Sequence, residues 1–194
     1  MAVAREQIQV QPITEAYLSE LADEPGKIEV VDGEIITMPP PGRKHGRVGA
    51  RIIHLLLNFV EDKALGEVFG ETTYVLEGEP GHIRRMRAPD VSFVAKANLP
   101  AGQDESGYFY QPPDLAVEIV SPTERAGDVM RKVNDYLRAG TRVIWIVYPE
   151  TRQVVVHTPQ GALIYGEEQA LDGGDLLPGL SVSVAALFGS AATP

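Results

Sequence analysis

One carboxylate stands out in this chain because it is embedded in an apolar segment. Glu118 lies in the middle of Leu115–Val120, and every other residue of that segment is apolar. Moving an unpaired charge into such surroundings costs several kcal/mol unless a partner, a proton or a metal compensates it. Acidic residues are rarely fully buried without such compensation. Glu118 is therefore expected to have a chemical partner elsewhere in the chain.

Two aspartates that each follow a proline, Asp90 and Asp114, are the first candidates for a shared site. Asp114 lies on the predicted strand of Glu118, on the same face, but four residues of strand separate their backbones by about 13 Å. Two oxygens bound to one Mg²⁺ lie at most about 4 Å apart. Asp90 begins a different strand, and paired strands lie about 4.8 Å apart. If those strands pair, Asp90 can share an ion with Glu118, and Asp114 is expected to be a strand-start or turn residue.

A positive group would also be needed to polarise a phosphate or assist an attacking water. Val120 stands two residues after Glu118, where many metal nucleases have a basic residue. Lys132 borders the apolar stripe of the next predicted helix, so its side chain could extend over apolar surface to the end of the sheet. The alternative is a surface lysine that pairs with Asp128 or Asp135. Spacing alone leaves both interpretations open.

These residues require a sheet and helices to hold them, and hydrophobic periodicity predicts such elements. The strand-helix-strand order over Leu115–Tyr148 predicts two parallel strands joined by a right-handed crossover. With 194 residues, 44% of them hydrophobic, the chain is expected to form one mixed α/β (α+β) domain. The predicted elements are helices over 13–22, 46–63 and 122–139, strands over 27–31, 34–38, 67–76, 90–95, 115–120, 142–148, 153–157 and 162–166, a loop over 96–112, and a closing strand or short helix over 182–188.

The distribution of charge bears on the kind of partner. A net charge of −10 argues against a protein that coats nucleic acid, because phosphate contacts need lysine and arginine. Basic residues nevertheless cluster in two places, which indicates either a phosphate-binding groove or solvated surface. The clusters are Arg43, Lys44, Arg47 and Arg51, and Arg84, Arg85 and Arg87.

Several classes of protein are unlikely matches on composition. The chain has no cysteine, which excludes disulfides and thiolate metal sites. No apolar run approaches about 20 residues, so no membrane span is expected. The first residues, Met1–Gln11, lack the order of a secretory signal, and a cytoplasmic location is expected.

Taken together, these motifs resemble the Uma-type (Uma-two) restriction endonuclease family of the PD-(D/E)XK nuclease superfamily. The resemblance covers about residues 13–188, nearly the whole chain. The segments that carry it are Val31–Glu34, His45, Pro89–Val91, Pro113–Pro122, Lys132 with Tyr136, and Gly140 before Trp145–Val147.

The resemblance implies a restriction-endonuclease-like fold, with a central mixed β-sheet flanked by helices, an N-terminal β-hairpin and additional C-terminal strands. It implies Mg²⁺ (or Mn²⁺) bound by Asp90 and Glu118, and Lys132 in place of the lysine absent at Val120. Glu34 matches the family's N-terminal acidic position, with a hairpin surface residue as the alternative. His45 matches a family histidine that could contact phosphate or orient water, and it could instead simply begin the long helix.

The resulting hypothesis is a metal-dependent DNA endonuclease that hydrolyses phosphodiester bonds with a Mg²⁺-activated water. Arg43, Lys44 and Arg47 are the candidate phosphate contacts, and the resemblance implies a homodimer. The alternative is a catalytically inactive nuclease fold that binds nucleic acid or protein, which Val120 and the acidic net charge favour. A third interpretation is a regulator that contacts a protein through the loop over 96–112.

Overall fold

Two β-sheets with a helix between them form the body of the fold. The computed structural model describes residues 12–21, 26–102 and 107–189. The helices are α1 (Glu15–Leu21), α2 (Arg43–Lys63), α3 (Ala126–Ala139) and α4 (Val184–Phe188). The strands are β1 (Lys27–Val31), β2 (Glu34–Met38), β3 (Gly66–Gly70), β4 (Tyr74–Glu79), β5 (His82–Arg87), β6 (Val91–Ala95), β7 (Leu115–Ile119), β8 (Val143–Tyr148), β9 (Gln153–Thr158), β10 (Gly161–Tyr165), β11 (Ala170–Asp172) and β12 (Ser181–Ser183).

The larger sheet has six strands in the order β10-β9-β8-β7-β6-β3. Its central strands β7 and β8 are parallel and joined through α3, as the sequence predicts, and Glu118 pairs with Ile146. The other neighbours in this sheet are antiparallel. Every residue of β7 is buried, which matches the apolar composition of a strand covered on both faces.

Helices cover both faces of the larger sheet. The apolar stripe of α2 places Val48, Ile52, Leu56 and Val60 in the main core, against the odd-numbered residues of β7. On the opposite face, α3 buries Val129, Val133 and Tyr136 against Ala116 and the even-numbered residues of β8. Alternation along β7 therefore directs Glu118 to the α3 side.

The smaller sheet has the order β2-β1-β5-β4 and packs α1 against a separate apolar cluster. The hairpin of β1 and β2 turns at Asp32 and Gly33, both of which have positive φ (53° and 79°), and its strands have the predicted bounds. Arg85 and Arg87 of β5 contact Asp135 on α3, so this sheet lies against the helix side of the larger one.

Three predicted boundaries were wrong. The segment 67–76 is not one strand, because Glu71 has a φ of 51° and turns the chain between β3 and β4, which belong to different sheets. Helix α3 begins at Ala126, not near 122, because Ser121–Glu124 form their own turn, in which the Glu124 N–H donates to the Ser121 carbonyl at 3.0 Å. Helix α2 begins three residues earlier than predicted, at Arg43.

Part of the predicted loop over 96–112 is ordered against the sheet. Residues Lys96–Asn98 form a short 3₁₀ turn, and Phe109 stacks on Tyr74 with ring centroids 5.0 Å apart. The closing segment is a strand, β12, followed by the helix α4. Residues 1–11, Ala22 and 103–106, on which predictions were also made, lie outside the described residues. No helix in the described part of the chain is long and apolar enough to cross a membrane.

Candidate active site

Asp90 directly precedes strand β6, and Glu118 lies in the neighbouring strand β7. Strands β6 and β7 pair antiparallel with Val91 opposite Val117; Asp90 directly precedes Val91, and Glu118 directly follows Val117. The backbone N–H of Ile119 donates to Asp90 Oδ2 at 2.7 Å, which fixes that carboxylate beside β7. Directly opposed residues of an antiparallel pair have Cβ atoms about 4.5–5.5 Å apart. The strand pairing on which the sequence prediction depended is therefore present.

The carboxylate of Glu118 is buried and has two side-chain donors. The residue is 3% exposed. Its Oε2 accepts a hydrogen bond from Lys132 Nζ at 2.9 Å, and its Oε1 accepts one from the Tyr136 hydroxyl at 2.7 Å. Burial raises the pKa of Glu118, and the positive charges of Lys132 and Lys27 oppose that rise.

Lys132 extends from α3 to Glu118 as the sequence suggested. Its Nζ is also 3.0 Å from Glu124 Oε1, on the turn that precedes α3. Burial alone would lower the pKa of Lys132, but the charges of Glu118, Glu29 and Glu124 outweigh it and raise the pKa. Lys132 therefore carries its proton throughout the neutral range.

The alternative partners for Lys132 are engaged elsewhere. Asp128 pairs with Arg131 on the exposed side of α3. Asp135 accepts hydrogen bonds from Arg87. The interpretation of Lys132 as a surface lysine paired with Asp128 or Asp135 was wrong, because the helix turns the lysine toward the sheet.

Asp90 has two basic neighbours from two other elements. Lys27 Nζ on β1 lies 3.1 Å from Oδ1, and His45 Nε2 on α2 lies 3.1 Å from Oδ2. Burial alone would raise the pKa of Asp90, but the His45 hydrogen bond and the Lys27 charge hold the pKa well below its usual range. In return, the hydrogen bond to Asp90 raises the pKa of His45.

A buried network behind the site joins the smaller sheet to α3. Arg87 on β5 donates to Glu29 Oε2 on β1 at 2.5 Å and to Asp135 Oδ2 on α3 at 2.5 Å and 3.0 Å. All three residues are at most 6% exposed. The sequence prediction missed Lys27 and Glu29, yet Glu29 had the signal that identified Glu118, a carboxylate between apolar residues in a short strand.

The second basic cluster is neutralised by carboxylates. Arg84 pairs with Glu77 at 3.5 Å, and Arg85 with Glu77 and Asp32. Arg87 is committed to the buried network described above. The three arginines of this cluster are therefore each paired with carboxylates, which favours the structural interpretation over a phosphate-binding groove.

A cleft of about 950 Å³ opens beside Asp90, whereas the buried Glu118 lies behind Lys132 and is not part of the lining. The cleft is lined by Lys27, His45 and Lys132, together with the loop Met38–Gly42 and the turn Ser121–Glu124. The chemically relevant lining residues are Lys27, Glu29, His45, Asp90, Glu124 and Lys132.

The remaining predicted residues do not all belong to this cleft. Arg43, Lys44 and Arg47 are exposed on the first turns of α2, beside His45, and Lys44 Nζ pairs with Glu150 at 2.8 Å. Glu34 is exposed opposite Val31 and does not line the cleft. Asp114 lies at the other end of β7, where it accepts a hydrogen bond from the Ala95 N–H at 2.8 Å, as expected of a turn residue.

A divalent cation in this cleft would need oxygen or nitrogen ligands from the protein. Within residues 12–21, 26–102 and 107–189, no group of three or more His, Asp and Glu side chains is arranged to hold a metal. Mg²⁺ is commonly bound through one or two carboxylates and several waters. The carboxylates of Asp90 and Glu118 are the two ligands that such a hydrated ion would use, once Lys27 leaves Asp90.

Comparisons with known proteins agree with this fold. Residues 14–186 match the family model described as "Uma2: Putative restriction endonuclease". A crystal structure of a putative nuclease belonging to DUF820 from Anabaena variabilis ATCC 29413 superposes with a TM-score of 0.74 at 24% sequence identity, and the match covers 91% of this chain and 98% of that chain. No curated protein matches. The structural match confirms the mixed-sheet fold, and because the family model spans most of the sequence, this chain belongs to the Uma2 family.

Proposed function

We propose that this protein is a divalent-metal-dependent nuclease that cleaves phosphodiester bonds within DNA. The family and the nuclease-like fold support a nuclease. The observation that carries this more specific proposal is that Asp90 is held beside β7 by the Ile119 N–H, while Lys132 lines the same cleft as Asp90 and donates a hydrogen bond to Glu118. That is the set of groups that a hydrolytic attack on a phosphodiester requires: oxygen ligands and a protonated amine.

Asp90 and Glu118 would hold Mg²⁺ or Mn²⁺, which when bound supplies an acidified water and neutralises charge on the phosphate. The protein's own contribution is to fix the two carboxylates. The Ile119 N–H orients Asp90, and the Tyr136 hydroxyl orients Glu118. Such supporting hydrogen bonds hold ligands in place before the ion arrives.

Lys132 is proposed to stabilise the charge that develops on the phosphate. Its ammonium is protonated, lies at the cleft and is held between Glu118 and Glu124. A cation already positioned in a water-poor site stabilises developing negative charge with little reorganisation. Lys132 would take the role of the basic residue that many metal nucleases have at the position of Val120.

His45 and the start of α2 are proposed to receive the DNA backbone. The first turn of α2 has no acidic residue and no side-chain cap, so its free N–H groups favour an anion. Arg43, Lys44 and Arg47 surround this terminus, which makes it locally basic in a chain of net charge −10. Lys44 would have to leave Glu150 to contact a phosphate.

The experiment is a cleavage assay on supercoiled and linear plasmid DNA. Wild-type protein is expected to cut DNA with Mg²⁺ or Mn²⁺ and to lose activity in EDTA. Glu118→Gln is expected to abolish cleavage, whereas Glu168→Gln, the same change at an exposed position of the C-terminal region, retains it. Cleavage that persists in Glu118→Gln would contradict the proposal.

A second candidate function is a nuclease fold that binds DNA or protein without cutting. It is favoured by the pairing of both carboxylates with lysines, and by Val120 at the position where many metal nucleases have a basic residue. Wild-type protein that shifts DNA in a gel but neither binds Mn²⁺ nor cleaves would support this candidate over the first.

We also propose a homodimer. The edge strand β10 has no charged residue and exposes Leu163 and Ile164 at 65% each, a pattern that favours association. Light scattering coupled to size exclusion gives the oligomeric state directly, and a monomer at high protein concentration contradicts this part of the proposal.

A further inference from the structure

Lys27 occupies a position that neither the sequence prediction nor the family resemblance assigns. It lies on β1, in the smaller sheet, and reaches across to the larger sheet, where its Nζ contacts Asp90 Oδ1 at 3.1 Å. Its pKa is raised because the charges of Glu118, Asp90 and Glu29 outweigh the opposing effect of burial. Asp90 and Glu118 therefore each have a lysine partner.

The oxygens of Asp90 are not equally free to bind an ion. Oδ2 already accepts hydrogen bonds from the Ile119 backbone N–H and contacts His45 Nε2. The backbone donor belongs to a buried strand and cannot move without disrupting the sheet. Oδ1 has Lys27 as its side-chain partner, so Oδ1 is the oxygen that an ion can take by displacing a flexible side chain.

The two lysines are also held with different strength. Lys132 contacts two carboxylates, at 2.9 Å and 3.0 Å, and its side chain is 9% exposed. Lys27 contacts one carboxylate at 3.1 Å, and its side chain is 18% exposed. Hydrogen bonds between charged groups weaken as exposure and length increase. Lys27 is the cation that gives way first.

We propose that Lys27 occupies the ion's place on Asp90 and is displaced from Oδ1 when a divalent cation binds. This inference rests on the metal site of the proposed function. Lys27 lines the cleft, so its displaced ammonium remains beside the position that a DNA phosphate would take. Lys27 thus links ion binding to the presentation of a second cation toward the substrate.

The first measurement is Mn²⁺ affinity by calorimetry in the absence of DNA. Lys27→Met removes the competing ammonium and is expected to tighten Mn²⁺ binding by about tenfold to hundredfold, the worth of a hydrogen bond between charged groups. Lys27→Arg keeps the charge and the contact and is expected to show no gain. Lys96→Met, the same change at an exposed lysine, is the matched control and should leave the affinity unchanged.

The second measurement uses wild-type protein, and so does not depend on the folding of any variant. Acetylation of lysine amines is followed by mass spectrometry with and without saturating Mn²⁺, with Lys96 as the internal reference. Lys27 is expected to be protected without the ion and to react several-fold faster with it. Unchanged Lys27 reactivity, or Mn²⁺ binding in Lys27→Met no tighter than in wild type, overturns the inference.

The outcomes separate this inference from the proposed function. DNA cleavage in Mn²⁺ without release of Lys27 overturns the inference and leaves the nuclease function intact. Release of Lys27 by Mn²⁺ in a protein that leaves DNA intact supports the inference and overturns the nuclease function. A wild-type protein that binds no Mn²⁺ overturns both.

Discussion

Lys132 Nζ on α3 lies 2.9 Å from Glu118 Oε2 on β7, so the crossover helix supplies the cation for the strand that precedes it. Fourteen residues separate the two in sequence. Because the helix packs back on its own strand, this pairing depends only on the geometry of one strand-helix-strand unit. The two residues are therefore a local pair. Asp90, in contrast, lies outside this unit, so its place in the site depends on the pairing of β6 with β7.

Lys132→Met is expected to destabilise the protein by about 3–5 kcal/mol, because it leaves the buried carboxylate of Glu118 without its cation. The free energy of unfolding from urea denaturation measures this loss. Adding Glu118→Gln to Lys132→Met removes the stranded charge and should recover part of the loss. A double variant no more stable than Lys132→Met would contradict the pairing.

Tyr136→Phe removes the hydroxyl that donates to Glu118 Oε1 at 2.7 Å. We expect a loss of about 1–3 kcal/mol in the free energy of unfolding, the cost of leaving a buried acceptor unsatisfied. Mn²⁺ binding should also weaken, because Glu118 loses the group that orients it. Tyr17→Phe, on the exposed side of α1, is the control and should behave as wild type in both measurements. Unaltered Mn²⁺ affinity in Tyr136→Phe would remove Tyr136 from the site.

The residues that could be found from sequence are those whose signal is local. Glu118 could be predicted because it is the one charged residue of an apolar strand. Lys132 could be predicted because it borders the apolar stripe of the next helix. Asp90 was reached through the expected spacing of paired strands, which the register of β6 and β7 satisfies. The hairpin around Asp32 and Gly33 was correct because a two-residue turn with positive φ determines it.

The contribution of β1 could not be predicted in the same way. Lys27 lies 63 residues from Asp90 in sequence, in a different sheet, and no periodicity indicates which sheet faces which. Glu34 was chosen on the resemblance of the hairpin, yet Glu29, which the sequence prediction missed, is the hairpin carboxylate that is buried. The division of 67–76 into β3 and β4 was likewise not predicted, because the residue with the left-handed conformation is a glutamate, Glu71, and not a glycine.

Arg87→Met is expected to destabilise the fold by about 3–5 kcal/mol, because both Glu29 and Asp135 lose their buried partner. Arg87→Lys should recover little of this, since an ammonium cannot reproduce the geometry of a guanidinium that contacts two carboxylates. Urea denaturation measures both. Arg84→Met, a neighbour in β5 whose pairing with Glu77 is exposed, should change the free energy of unfolding by no more than about 0.5 kcal/mol. Equal effects at the two positions would contradict the buried network.

The pairing of His45 with Asp90 predicts a pH dependence of stability. The hydrogen bond to Asp90 raises the pKa of folded His45 above the ordinary value of about 6.5. Its stabilising contribution is therefore complete below about pH 6.5 and is lost as pH rises through the folded pKa. His45→Gln should abolish this alkaline decline. Urea denaturation at a series of pH values tests it, and a variant with the wild-type profile would assign the decline to another group.

The most direct test of the central claim is the anomalous difference map of crystals soaked in Mn²⁺. The account predicts a peak within bonding distance of carboxylate oxygens from both Asp90 and Glu118, with Lys27 Nζ no longer on Asp90 and Lys132 still at the edge of the site. The same soak of Glu118→Gln crystals should lose or greatly weaken that peak. A saturating soak with no peak between Asp90 and Glu118, or with Mn²⁺ bound only elsewhere, would contradict the claim that these two carboxylates share one ion.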